Sequence, residues 1–262
     1  AGSVMFAMQM GQALGRMSEE VLSAGDIGLP IFKEPRPAFV AQNLAELVDS
    51  LEEDTDQVYF YFVIRELAHA RLFKQSKWLR EYTVNLITAY AREISIDNTR
   101  IVEMSENFDP ADIGNIQKAF ESGSLIAPRT PSQTIALERI ETVLALIEGW
   151  VDCVTQAATT RLPRSAAIAE VVRRKRSAGG PAEKTFLTLI GLELRPRKLR
   201  EASAMWNEIT EAVGIQKRDA IWSHPDLLPT DADIQDPTAL IAKLSNSAPE
   251  DDMDQALRDL LS

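Results

Sequence analysis

The stretch Val58-Tyr59-Phe60-Tyr61-Phe62-Val63-Ile64-Arg65-Glu66-Leu67-Ala68-His69 decides how the rest of the chain is read. Its first part is apolar nearly all round a helix, which implies a buried element. Arg65 and Glu66 follow directly, and buried charges are costly unless paired, so this helix calls for polar partners elsewhere. Arg65-Glu66-Leu67-Ala68-His69 also stands one residue away from His-Glu-x-x-His. In that pattern two histidines four apart share a helix face and bind Zn²⁺, while the glutamate between them acts as general base. Here Glu66 and His69 are in place, but arginine fills the first ligand position. A guanidinium is always charged and has no lone pair to offer a metal.

The matching half lies in a second helix. Thr130-Pro131-Ser132-Gln133 carries a threonine cap, proline at the first helical position and glutamine three residues after the cap. The helix it opens is predicted to run to about Arg161, before Pro163. Within Val143-Leu144-Ala145-Leu146-Ile147-Glu148-Gly149-Trp150-Val151-Asp152, two acids four apart interrupt an apolar run and share a face. Gluzincins use Glu-x-x-x-Asp in the same way: the glutamate is the third zinc ligand, and the aspartate orients the first histidine. Position 65 holds arginine instead, a natural donor to carboxylates. The expectation is therefore a polar cluster of Arg65, Glu66, His69, Glu148 and Asp152, with Arg65 donating to Glu148, Asp152 or both. Glu66 is the candidate base, and His69 and Glu148 are the candidate metal ligands.

Other residues carry weaker signals. His224, in Trp222-Ser223-His224-Pro225-Asp226, is the only other histidine and a possible additional ligand, although such a loop histidine more often packs or caps. Cys153 lacks a local basic activator and reads as a buried structural thiol. Arg173-Arg174-Lys175-Arg176 reads as a solvated helix end complementing the helix dipole. Gly179-Gly180-Pro181-Ala182-Glu183 lacks the lysine-serine/threonine ending of a phosphate loop.

Composition bounds the class. The 262 residues are 45% hydrophobic and 26% charged, enough for a sizeable core in an ordinary globular protein. A net charge of −11 disfavours nucleic acid and anionic membrane surfaces as partners. One cysteine excludes an internal disulfide and a thiolate zinc cluster, and fits a cytoplasmic setting. The opening Ala1-Gly2-Ser3-Val4-Met5 has no basic n-region, no apolar run is long enough to span a bilayer, and residues are expected to be missing before Ala1.

The fold class predicted is mainly α, α+β at most, with 1–262 as a single domain and an acidic Pro/Asp-rich tail from about 225. Further helices are predicted over Val4–Leu22, Asn43–Leu51, Gln57–Phe73, Trp78–Ile94, Ser165–Arg176, Ala182–Leu192, Lys198–Val213 and Met253–Leu261. Gly28–Phe32 and Thr99–Met104 are the candidate strands.

Several motifs, taken together, resemble one family. They are Gly11-Gln12-Ala13-Leu14-Gly15, Asp26-Ile27-Gly28-Leu29-Pro30, Arg65-Glu66-Leu67-Ala68-His69, Trp78-Leu79-Arg80 and Glu148-Gly149-Trp150-Val151-Asp152. Gly179-Gly180-Pro181-Ala182-Glu183, Gly191-Leu192-Glu193-Leu194-Arg195-Pro196 and His224-Pro225-Asp226-Leu227-Leu228-Pro229 complete the set. The chain resembles actinobacterial zincin-like hydrolases, often labelled zinc-dependent metalloproteases or deazaflavin-coenzyme-biosynthesis-associated proteins. The resemblance implies a mostly helical zincin-like fold with the Glu66 helix packed on the Glu148 helix. It also implies Glu66 as base, His69 and Glu148 as zinc ligands and Asp152 behind them, with Arg65 departing from the pattern. Three readings follow. In the first, the chain is a metal-free zincin-fold protein that binds a peptide, protein or small ligand, with no cofactor. In the alternative it is an active zinc hydrolase whose third ligand comes from elsewhere. A different enzyme using the acidic cleft without metal is a third.

Overall fold

The computed structural model describes residues 11–95 apart from 13, 16, 30, 52 and 53, together with 127–178 and 198–246. The helices expected over Ala182–Leu192 and Met253–Leu261, the strand at Thr99–Met104 and the start of the Val4–Leu22 helix lie outside the described residues. Of that last helix, 17–20 are helical, as are 11, 12, 14 and 15.

The chain then forms α1 (Ala41–Asp49), α2 (Thr55–Gln75), α3 (Lys77–Arg92), α4 (Pro131–Ala158), α5 (Ser165–Ala178) and α6 (Leu199–Ala220). Short 3₁₀ turns at Ile221–Ser223 and Pro225–Leu227 lead into α7 (Asp231–Gln235) and α8 (Thr238–Asn246). Among the described residues there is no strand, only an isolated antiparallel bridge between Ser23 and Phe39. Of the strand expected at Gly28–Phe32, the described residues form no strand: Gly28 and Leu29 lie in a bend after the turn at 24–27, and Gly28 has φ of 70°, a conformation that an L side chain would strain.

α4 organises the rest. Every residue from Val143 to Cys153 is buried, so this stretch is enclosed on all sides. α2, α3, α5 and α6 all pack on it. Its start is held by the predicted capping box: Thr130 Oγ accepts from Gln133 N at 3.1 Å, and the Gln133 side chain accepts from Thr130 N at 3.0 Å. α6 approaches closely because residue 149 is glycine. A Cβ there would lie 2.7 Å from Ala202 Cβ and 2.8 Å from the Ser203 amide nitrogen. Trp206 stacks on Trp222 beside the same seam, and Trp150 meets Trp222 edge-on.

α2 runs antiparallel to α4: Arg65 meets Glu148, while Gln57, two turns earlier, accepts from the amide of Arg164, beyond the end of α4. α2 departs from the sequence reading in one respect. Val58, Tyr61 and Phe62 are buried, but Phe60, Val63 and Leu67 are 51%, 39% and 47% exposed, a stripe at helical spacing. Burial on one side only is enough to fix a helix that is apolar all round.

Two further differences concern the C-terminal part. α6 continues to Ala220, but Gly214 breaks its backbone with φ of 83° and ψ of 167°, so the predicted end at Val213 marks a real kink. Residues 231–246, read as tail, contain two helices that contact α6. Thr230 and Asp233 form a capping box for the first of them, and Ile234 joins the core.

Candidate functional site

Helical spacing puts Arg65 and His69 on one face of α2, and that face lies against Glu148 of α4. Arg65 Nη2 donates to Glu148 Oε2, and His69 Nε2 lies 3.1 Å from Glu148 Oε1. All three are interior groups: Arg65 is 6%, His69 3% and Glu148 0% exposed. The other histidine nitrogen, Nδ1, is 3.2 Å from the Arg65 carbonyl oxygen. A carbonyl only accepts, and a carboxylate bonded to a guanidinium also accepts. Both ring nitrogens thus face oxygen atoms, one on α2 and one on α4.

Glu66 turns the other way. Its Oε2 accepts from Gly25 N at 3.0 Å and its Oε1 from Ala38 N at 3.3 Å. These amides belong to the two arms of one loop, which the Ser23–Phe39 bridge and the Val40 N–Leu22 O hydrogen bond at 2.9 Å hold together. Glu66 therefore ties the loop to α2. The loop in turn covers the ion pair. A Cβ on Gly25 would come within 2.6 Å of His69 Cγ, and one on Gly28 within 3.0 Å of Glu148 Oε1. Between this loop and α2 remains a cavity of about 30 Å³. Glu66 and His69 form part of its lining, with Leu29, Phe32, Arg36 and Phe73.

Asp152, one turn beyond Glu148, is 1% exposed. Its Oδ2 accepts from Gln156 Nε2 at 2.6 Å, Ser203 Oγ at 2.8 Å and Arg173 Nη1 at 3.3 Å. The sequence reading treated Arg173 as part of a solvated helix end. In fact its side chain is 19% exposed and binds both Asp152 and Glu170, whereas that of Arg174, at 76%, fits the solvated description. Arg173 adjoins the buried Ile168–Ala169–Val172 face of α5, a stripe visible in the sequence that could have placed it. Ser203, Tyr61 and the two loop glycines were also not singled out as site residues; they depend on which helices and loops meet.

Neither of the remaining candidates joins the cluster. The His224 side chain is 61% exposed, and its Nδ1 accepts from Asp226 N at 3.2 Å, so it caps a 3₁₀ turn. Cys153 is buried as expected, but a cation does stand beside it: Arg218 Nη1 is 3.8 Å from the sulfur. Burial outweighs that cation and pushes the thiol up from its ordinary value.

The chain belongs to the zincin-like metallopeptidase family, whose model matches residues 1–241. No curated protein matches it. Among solved structures it is similar to a "putative hydrolase with a novel fold" from Chloroflexus aurantiacus, at 22% identity and a TM-score of 0.69, over 94% of this chain and 71% of that one. That likeness concerns the fold alone; the family match and the helices described above make it mainly helical and zincin-like. No described helix is long and apolar enough to cross a membrane.

The family implies zinc, so the donor set must be tested against it. His69 and Glu148 are 3.1 Å apart, close to the separation of about 3.3 Å between two ligands of a tetrahedral zinc. A catalytic zinc takes three protein ligands. Where the third would stand, a guanidinium is bonded to Glu148. No group of three His, Cys, Asp or Glu able to hold a metal occurs among the described residues. The residues present do not fit a catalytic zinc site.

Proposed function

We propose that this protein is a zincin-fold binding protein in which Arg65 stands in for the metal's charge, so that classical metallopeptidase activity is lost. In this reading a peptide, protein or small ligand is recognised at the old cleft, between the loop and α2. The observation that carries it is the buried Arg65–Glu148 ion pair. Glu66 is consistent with it: each of its oxygens accepts a backbone N–H, which gives this carboxylate a structural part in holding the loop to α2. The small cavity beside Glu66 and His69, with Arg36 in its lining, is consistent with recognition there.

One observation favours the alternative, an active zinc hydrolase with Glu66 as base. The 3.1 Å spacing of His69 and Glu148 suits two zinc ligands as well as it suits a hydrogen bond. Metal analysis of protein purified without chelators separates the two. The binding-protein reading expects zinc far below one equivalent, unchanged by His69→Ala. Stoichiometric zinc that disappears in His69→Ala would overturn it.

A further inference from the structure

The buried face of α4 carries more polar groups than the ion pair uses. Glu148, Asp152, Thr155 and Thr159 recur along one stripe, none more than 1% exposed. α2 crosses this stripe with Tyr61 one turn before Arg65. Tyr61 is 0% exposed, and its hydroxyl has no hydrogen-bond partner among the described residues. The same is true of Asp152 Oδ1 and Thr155 Oγ. About nine in ten buried polar groups are bonded, so three such atoms on neighbouring helix faces call for an explanation.

The charges nearby narrow what could satisfy them. Tyr61 lies in the fields of Arg65, Asp152, Arg173 and Glu148. A bound cation would meet two guanidiniums there, and a bound anion would meet the lone pairs of Asp152. Asp152 Oδ1 requires a donor, whereas a phenol can donate or accept. Burial holds the phenol in its neutral form by pushing its pKa up to about 12. The species that suits both groups is small and neutral, with two donors and an acceptor.

We infer that a resident water binds between Tyr61 Oη and Asp152 Oδ1, donating to the carboxylate and hydrogen-bonded to the phenol. The result is a continuous polar chain from Arg173 on α5, through Asp152 on α4, to Tyr61 on α2. Thr155 adds a hydroxyl on the same stripe. Such waters are integral parts of protein interiors and are costly to remove.

Two measurements on the full chain test this. A crystal structure should show density for one water at about 2.6–3.2 Å from both Tyr61 Oη and Asp152 Oδ1. A direct Tyr61–Asp152 hydrogen bond, or no density between them, overturns the inference. Tyr61→Phe gives an independent reading through the sign of its effect. If the hydroxyl is bonded to water, the melting temperature falls by about 2–4 °C. If the hydroxyl is truly unpaired, removing it relieves a desolvation penalty, and a melting temperature equal to or above that of the wild type sinks the proposal.

Discussion

Replacing Arg65 by methionine removes the guanidinium but keeps most of the apolar stem. Glu148, at 0% exposure, would then lose the guanidinium bonded to it. Breaking a buried ion pair from one side costs about 3–5 kcal/mol. Glu148→Leu takes from Arg65, 6% exposed, the carboxylate to which it donates, with a similar cost expected. The double variant carries neither charge. Its remaining penalty is the unpaired Nε2 of His69, about 1–3 kcal/mol for a buried group that loses its hydrogen bond. The single costs sum to about 6–10 kcal/mol, so the coupling between the positions should be at least about 3 kcal/mol. Urea unfolding at pH 7, followed by the fluorescence of the buried Trp150, Trp206 and Trp222, measures all four corners of the cycle. Since a domain's total stability is about 5–15 kcal/mol, the single variants should be near the edge of folding while the double variant recovers. An Arg65→Met cost below about 1 kcal/mol, or additive single effects, would refute the claim that the pair is interior and mutually dependent.

Arg65→His tests the same site from the other direction. It restores three potential ligands, with Asp152 behind them, and should raise zinc content in metal analysis to about one per chain; no gain in zinc would show that the site has diverged beyond position 65. Glu66→Gln leaves one carbonyl oxygen for two backbone donors and turns an NH₂ toward the other. A loss of about 1–3 kcal/mol is expected, with faster amide exchange at Gly25 and Ala38, and unchanged exchange there would count against the tether. Tyr61 has its folded pKa raised to about 12 from 10.0, so between those pH values the unfolded chain loses the proton while the folded one keeps it. Stability present below pH 10 is then lost as pH rises to 12, on the order of 3 kcal/mol. Denaturant melts across that window should show a shallower decline in Tyr61→Phe, and identical slopes would contradict it. Gly149→Ala drives a Cβ into Ala202 and the Ser203 backbone, which should lower stability by at least about 1–3 kcal/mol in thermal melts; a neutral effect would mean that the α4–α6 seam yields easily.

What could be read in advance follows the range of the forces involved. Capping and helical periodicity are local, which is why the start of α4 and the spans of α2, α3 and α5 were legible to within a turn. The Arg65–Glu148 pairing was legible because two apolar helices each carried a charge that had to be satisfied somewhere. The loop was not. Nothing local in residues 22–40 states that its two arms will be fastened by Glu66, and the glycines at 25 and 28 acquire meaning only from the side chains they meet. Arg173 was misjudged for a related reason: a run of cations looks solvated unless one asks which member borders the buried stripe. The helices at 231–246 were hidden by composition, since Asp and Pro suggested tail while Thr230 and Asp233 were supplying a cap.

The assignments of the three acids bear on one another. In a zinc-bound arrangement of this fold, Glu148 would ligate metal, Asp152 would orient the residue at position 65, and Glu66 would be left open to water. Here Glu148 takes the guanidinium, Asp152 is shared among Arg173, Gln156 and Ser203, and Glu66 holds both arms of a loop. Each acid thus makes structural bonds between elements of the fold. A single arginine accounts directly for only the first of these. The other two carboxylates keep acceptor sites for further donors, so the cation that binds α2 to α4 is the part of the cluster on which the Arg65→His experiment turns.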